Sequence, residues 1–229
     1  MKKIEILYED SQIVVCHKEA GIPVQTRSIT KIDMEKMLLN EFAFRGEKAV
    51  VYVVHRLDQP VEGVIVFAKT SKAAADLNRQ FQTDCIIKEY FAVVEGYFKK
   101  DKVHLEDYII RDGKTNLSAI VPKENKASKK AVLDLTAVDS YNNTQLVLIS
   151  LKTGRHHQIR VQLSNSGHPI VGDLKYNPKY VNYNGYVQTA LCSYRIVFKH
   201  PVTGLEMEFK VKPSAEAFLQ YNNKLEKFV

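Results

Sequence analysis

His55-Arg56-Leu57-Asp58-Gln59-Pro60-Val61-Glu62-Gly63-Val64-Ile65-Val66-Phe67-Ala68-Lys69-Thr70 holds one aspartate, Asp58, between two strongly apolar runs. Behind it, residues 49–54 (Ala-Val-Val-Tyr-Val-Val) are β-branched and aromatic, and they predict a buried strand. Ahead of it, residues 64–68 predict a second one. His55, Arg56, Asp58, Gln59, Pro60, Glu62 and Gly63 between them are polar or turn-forming. A carboxylate in such a turn is held at the rim of a rigid sheet, a common place for chemistry. The same residues equally describe a turn whose aspartate caps backbone amides. This segment alone supports both readings.

Working outward, residues 4–8 and 12–17 predict a hairpin across Glu9-Asp10-Ser11. Met34, Met37, Leu38 and Phe42 recur at helical spacing and predict a helix over 33–44. Ser71 is expected to cap a helix over 72–82 with Ala75, Leu77 and Phe81 facing inward. Residues 88–97 predict a strand ending near Gly96. The stretch 99–130 is the most lysine-rich, with Lys123, Lys126, Lys129 and Lys130 around an expected hairpin tip, read as a solvated loop rather than an RNA-binding arm. Strands follow over 131–138 and 145–151. A helix over 154–166 is expected to close at Gly167, and the tail adds strands near 193–198 and 205–211. This pattern is α+β: a single domain over 1–229, built on a large, mostly antiparallel sheet.

At 229 residues the chain is long enough for one large domain, or one with two lobes. It is 45% hydrophobic and 26% charged, ordinary for a soluble protein, and its net charge of +7 makes a polyanion a plausible partner. Cys16, Cys85 and Cys192 are odd in number and widely spaced, so a reducing, cytoplasmic location is expected. Glu5, Glu9 and Asp10 interrupt any signal-peptide core, and no segment reaches the roughly 20 apolar residues of a membrane span. There is no nucleophile elbow, no phosphate-cradling loop and no dinucleotide fingerprint.

Three further segments join Asp58. Tyr90 lies in Lys88-Glu89-Tyr90-Phe91-Ala92-Val93-Val94-Glu95-Gly96, sharing a strand face with Ala92 and Val94. Read by itself it is a core tyrosine with its hydroxyl hydrogen-bonded. Residues 151–163 (Leu-Lys-Thr-Gly-Arg-His-His-Gln-Ile-Arg-Val-Gln-Leu) place His157 and Arg160 one helical turn apart, able to bind phosphate or hold a carboxylate. Zinc is disfavoured, because His156 and His157 are adjacent and no acidic or cysteine ligand stands at metal spacing; no metal site is expected. Gly167-His168-Pro169-Ile170-Val171-Gly172-Asp173 is a turn-rich loop suited to shaping a cleft.

In this order the segments closely resemble the motifs of the RluA-type RNA pseudouridine synthases. Tyr8-Glu9-Asp10 with Lys18-Glu19-Ala20-Gly21-Ile22, and Phe198-Lys199-His200-Pro201 with Thr203-Gly204, are similar to that family's opening and close, so the resemblance spans about residues 5–212. It implies the synthase fold with flanking helices and a central RNA-binding cleft. It also implies an isomerase converting uridine within rRNA or tRNA to pseudouridine without cofactor; a monomer away from membranes is expected. Carried over by motif, Asp58 is the essential catalytic group, Arg160 its cationic partner and Tyr90 the residue packed on the target base. Arg56 fills the stack left by the flipped nucleotide. Lys88, Arg155 and His157 contact phosphates, and His55 and Ile159 complete the substrate-binding set.

Departures are few. Val61-Glu62 replaces the usual Thr-Ser, and a carboxylate facing RNA there is costly unless paired. Lys18-Glu19 replaces Lys-Pro, and His156 replaces threonine. The chain starts too close to its motifs for the S4 domain of many relatives. Two rival readings remain: an RNA-binding or RNA-folding protein with the same fold, and a glycosidase using Asp58 with Glu62, for which nothing else suggests a sugar cleft.

Overall fold

The computed structural model describes residues 4–28, 30–83, 85–185 and 187–228. The chain divides into two compact units, Met1–Ile87 with Ser193–Val211, and Lys88–Cys192 with Lys212–Val229. Every strand register described is antiparallel, and the α+β class read from the sequence is what the structure shows.

The first unit begins with a hairpin, β1 (Glu5–Glu9) and β2 (Ile13–Lys18). Asp10 makes its turn: Oδ1 accepts the backbone N–H of Gln12 at 2.7 Å and of Ile13 at 2.8 Å. α1 (Met34–Phe44) is capped by Asp33, whose Oδ1 accepts the N–H of Lys36 at 2.9 Å, and it buries Met34, Met37, Leu38 and Phe42. β3 is only Tyr52–Val53, followed by β4 (Glu62–Ala68), buried at every residue, and α2 (Ser71–Gln82). β2 lies along β4 from Ile13↔Ala68 to Lys18↔Gly63.

Two expectations need correcting here. The predicted strand over 49–54 shrinks to two half-buried residues, because the other edge of β4 is shared with β10 (Leu191–Lys199), leaving β3 only Phe67 and Ala68 to pair. In α2 the cap is Thr70, not Ser71: its hydroxyl accepts the N–H of Ala73 at 3.2 Å. The buried face is Ala73, Ala74, Leu77 and Gln80; Ala75 is exposed, since residues two apart on a helix point to opposite sides.

β10 joins this unit from Ser193 and pairs with β11 (Glu206–Lys210). Gly63 is required where β4 meets β10: its φ is +132°, and a Cβ there would lie 2.4 Å from the Ser193 carbonyl. His200 shapes the β10–β11 turn. Its Nδ1 accepts the N–H groups of Val202 and Thr203, while Nε2 meets Asp10 Oδ2 at 2.9 Å.

The second unit is a sheet in the order β5 (Ile87–Glu95), β9 (Thr144–Leu151), β8 (Lys129–Tyr141), β6 (Lys102–Asp112) and β7 (Leu117–Ile120). Lys129 and Lys130 are not at a hairpin tip. They open β8 and pair with Ile109 and Tyr108, while Lys123 and Lys126 stay in the exposed loop before it. α3 (Gln158–Asn165) packs on β6 and β7, with Val161 against Ile109 and Ala131. The predicted helix over 154–166 starts four residues late because His157 is left-handed, φ +53°, a conformation that no α-helix propagates. A 3₁₀ turn (Glu216–Tyr221) and α4 (Asn222–Leu225) complete the unit, Tyr221 OH lying 2.8 Å from Thr144 Oγ1.

Candidate active site

Asp58 sits in the turn that feeds β4, where its carbonyl accepts the N–H of Val61 at 3.0 Å. Its side chain is half-buried at the end of a strand with no exposed residue. The neighbouring motif residues divide between interior and surface. His55 turns inward: Nε2 accepts the N–H of Val66 at 3.0 Å, and its ring stacks on Phe81 with centroids 4.4 Å apart. Nδ1 therefore carries the proton, and the imidazole serves to fix the chain direction into the turn. Arg56 is exposed, and it has no hydrogen-bond or ion-pair partner among the described residues. Glu62 does not face outward at all; it is 1% exposed.

Lys18, quoted only as part of the opening motif, lies directly beneath this turn. It is fully buried, and its Nζ donates to the carbonyls of Glu19, Ile22 and Gln59. Burial pulls its pKa down to about 7, against the opposing pull of the Asp58 and Glu62 carboxylates. A lysine closing the strand Ile13-Val14-Val15-Cys16-His17-Lys18, apolar over its first four residues, was the available sequence sign of a buried cation.

The second unit carries the other motif residues. Tyr90 is 7% exposed on β5, opposite Ile149 of β9. Lys88, on the same strand, is half-buried. The loop leading into α3 is built by Gln158. Its Oε1 accepts from the Thr153 hydroxyl at 2.8 Å and the Arg155 N–H at 3.0 Å, while its Nε2 donates to the Val132 carbonyl. This fixes Arg155 at the surface, with Nε donating to the Lys130 carbonyl at 2.8 Å.

His157 and Arg160 point into the unit, and Ile159 is 5% exposed beside them. The guanidinium of Arg160 holds Asp173 through Nε (2.7 Å) and Nη2 (2.8 Å). Asp173 is brought there by the 167–173 loop, which binds the edge of β5: Val171 N–H donates to the Val93 carbonyl, and Glu95 N–H to that of Pro169. Tyr176 follows from the same loop, with Arg160 5.2 Å from its ring centre and its hydroxyl 2.7 Å from both His157 Nδ1 and the Ser118 N–H. Ser118 Oγ donates to the His156 carbonyl at 2.7 Å and lies 2.8 Å from Nδ1 of that residue, which accordingly donates to it. Thus His156 and His157, stacked 3.8 Å apart, are each tied by a ring nitrogen to a different protein group.

Within the first unit the structure therefore groups His55, Arg56 and Asp58 in one turn. Within the second it gathers Arg155, His157, Ile159 and Arg160 at the start of α3, with Tyr90 and Lys88 on β5. Asp173, Tyr176, Gln158 and Ser118 are the supporting residues that sequence reading did not single out. Among the described residues, no cluster of three His, Cys, Asp or Glu side chains is placed to hold a metal ion, and no helix is long and apolar enough to cross a membrane.

Comparison with known proteins adds an independent line. A family model described as RNA pseudouridylate synthase matches residues 12–165. The tRNA pseudouridine synthase C of Pasteurella multocida is 30% identical over 216 residues, covering 87% of each chain. The ribosomal large subunit pseudouridine synthase C of Haemophilus influenzae is 30% identical over 90% of this chain and 64% of its own. Among solved structures, human RNA pseudouridylate synthase domain containing 4 superposes with a TM-score of 0.78 at 22% identity. The match covers 97% of this chain and 93% of the human one, and it shows a shared fold.

Proposed function

Since the chain belongs to the RNA pseudouridylate synthase family, isomerases that make pseudouridine in RNA, we propose that it acts on specific uridines of structured tRNA or large-subunit rRNA with Asp58 as its essential group. The observation that carries this reading is the Asp58 turn itself. A half-buried carboxylate stands at the end of a fully buried strand, one residue removed from an exposed, unengaged arginine. That arrangement offers a fixed charge for chemistry and a planar cation for nucleic acid.

The reaction breaks the C–N glycosidic bond, turns the uracil and forms a C–C bond in its place. It is an isomerisation, so it calls for no redox or energy cofactor, and a monomer suffices. Whether Asp58 attacks the sugar, adds to the base or removes a proton, it must be ionised and accurately placed. By the family resemblance, Arg160 is the proposed cationic partner of Asp58. Tyr90 is proposed to pack on the target base. Arg56 is proposed to stack in the space of the flipped nucleotide, recovering part of a cost of a few kcal/mol. Lys88, Arg155 and the net positive charge would contact phosphates, while His55, His157 and Ile159 shape the substrate side from within. Cys16, Cys85 and Cys192 form no disulfide, in accord with a cytoplasmic enzyme.

Mapping pseudouridines in tRNA and rRNA from cells with and without this gene tests the proposal. At least one position should lose its pseudouridine in the deletion strain and regain it with the wild-type gene. Identical maps would contradict an enzymatic role and favour an RNA-folding protein of the same fold.

A further inference from the structure

Lys18 ends β2 with none of its surface exposed, yet it is not simply packed. An ammonium group has three protons and no acceptor. All three are used on main-chain carbonyls: Ile22 at 2.7 Å, Glu19 at 3.0 Å and Gln59 at 3.1 Å. Two of these belong to the turn after β2. The third belongs to the residue that directly follows Asp58. Two more bonds run between the same turns, Gly21 N–H to the Gln59 carbonyl at 2.8 Å and Gln59 Nε2 to the Gly21 carbonyl at 3.0 Å. The Asp58 turn is therefore laced to a second turn, with a buried cation at the centre.

Isolated buried charge is costly. Register puts Lys18 opposite Gly63, next to Glu62, whose side chain is almost as deeply buried. The carboxylates of Asp58 and Glu62 both favour the charged form of the lysine, which burial alone would discharge. A side chain serving only to fill volume at this place would be aliphatic; the ammonium is needed for the three carbonyls.

We propose that Lys18 is the positioning residue of the Asp58 turn, with Glu62 as the buried counter-charge that retains its ammonium. This rests on the reading of Asp58 as the catalytic carboxylate. Lys18 acts through the Gln59 peptide, so its loss should alter the rate of the chemical step and not the grip on RNA.

The test compares wild type, K18M and K18M/E62Q. Wild-type protein is first incubated with total RNA from cells lacking the gene, to locate its uridine, and a transcript carrying that site is used thereafter. K18M/E62Q removes both buried charges. It should stay folded, melting below wild type because three carbonyls lose their donor, and should bind the transcript within about twofold of wild type. It should turn over at least about tenfold more slowly, since a misplacement of about 1 Å can cost about a hundredfold. K18M alone removes the buried positive charge beside the Glu62 carboxylate and should be the less stable of the two. Wild-type single-turnover rates in a folded K18M/E62Q would overturn the positioning role, and so would failure of both variants to fold, which would assign Lys18 to the stability of the whole unit. Equal stability of the two variants would overturn the role of Glu62. If wild-type protein modifies no uridine in that RNA, the proposed function itself fails and takes the positioning role with it.

Discussion

Arg160 grips both oxygens of Asp173, Nε to Oδ2 at 2.7 Å and Nη2 to Oδ1 at 2.8 Å, with the side chains 3% and 0% exposed. Asp173 Oδ1 also accepts the N–H groups of Lys175 and Tyr176, at 2.9 and 3.2 Å. The pair thus fixes a guanidinium proposed to serve catalysis and, at the same time, the loop that brings Tyr176 to it. Breaking a buried pair by removing one partner costs about 3–5 kcal/mol. D173A should lose stability on that order in urea unfolding; a midpoint equal to wild type would show the pair to be incidental.

The same carboxylate makes stability acid-sensitive. Burial pushes the pKa of Asp173 up, but hydrogen bonds and charge from Arg160, joined by the two backbone N–H groups, hold it below its usual 3.8. A carboxylate depressed on folding contributes stability that is present above the unfolded value and lost as pH falls through the folded one. The urea midpoint of wild type should therefore drop below about pH 4, and the drop should be shallower in D173N. Parallel pH curves for the two proteins would assign the acid sensitivity elsewhere.

Gly63 tests the close approach of two strands. With φ +132° and a Cβ position 2.4 Å from the Ser193 carbonyl, G63A meets backbone that cannot swing away. It should cost about 3 kcal/mol or more, whereas G113A, with open space around it, should stay within about 0.5 kcal/mol of wild type. Thermal melts of both decide the matter, and a benign G63A would contradict the strand packing described.

Arg56 is exposed beside the Asp58 turn. R56A should slow single turnover by about tenfold while weakening RNA affinity by less than about threefold, because its proposed contact is made only after the base leaves the stack. Equal losses in rate and affinity would make it an ordinary phosphate contact.

The legible parts of the fold are those set by local pattern. The β1–β2 hairpin follows from two strand-like runs separated by Glu9-Asp10-Ser11, and the buried face of α1 follows from residues 34, 37, 38 and 42 at helical spacing. Local pattern failed where neighbours compete. The run 49–54 is as strand-like as β4, but β10 holds most of the edge it would need. His157 stops the helix through a left-handed backbone that composition does not announce. At the candidate site the motif residues were legible, but their supports were not. Lys18 meets Gln59 across 41 residues, and Ser118 meets Tyr176 across 58. Periodicity carries no information about partners that far apart.

The Asp58 carboxylate is proposed to do the chemistry. D58N keeps the size and shape of the side chain and removes its charge. Single-turnover pseudouridine formation on a transcript carrying the mapped site should become undetectable in D58N, with RNA affinity within about threefold of wild type and an unchanged melting temperature. Turnover within about tenfold of wild type would contradict the account, because an essential ionised carboxylate cannot be replaced by an amide at so small a cost.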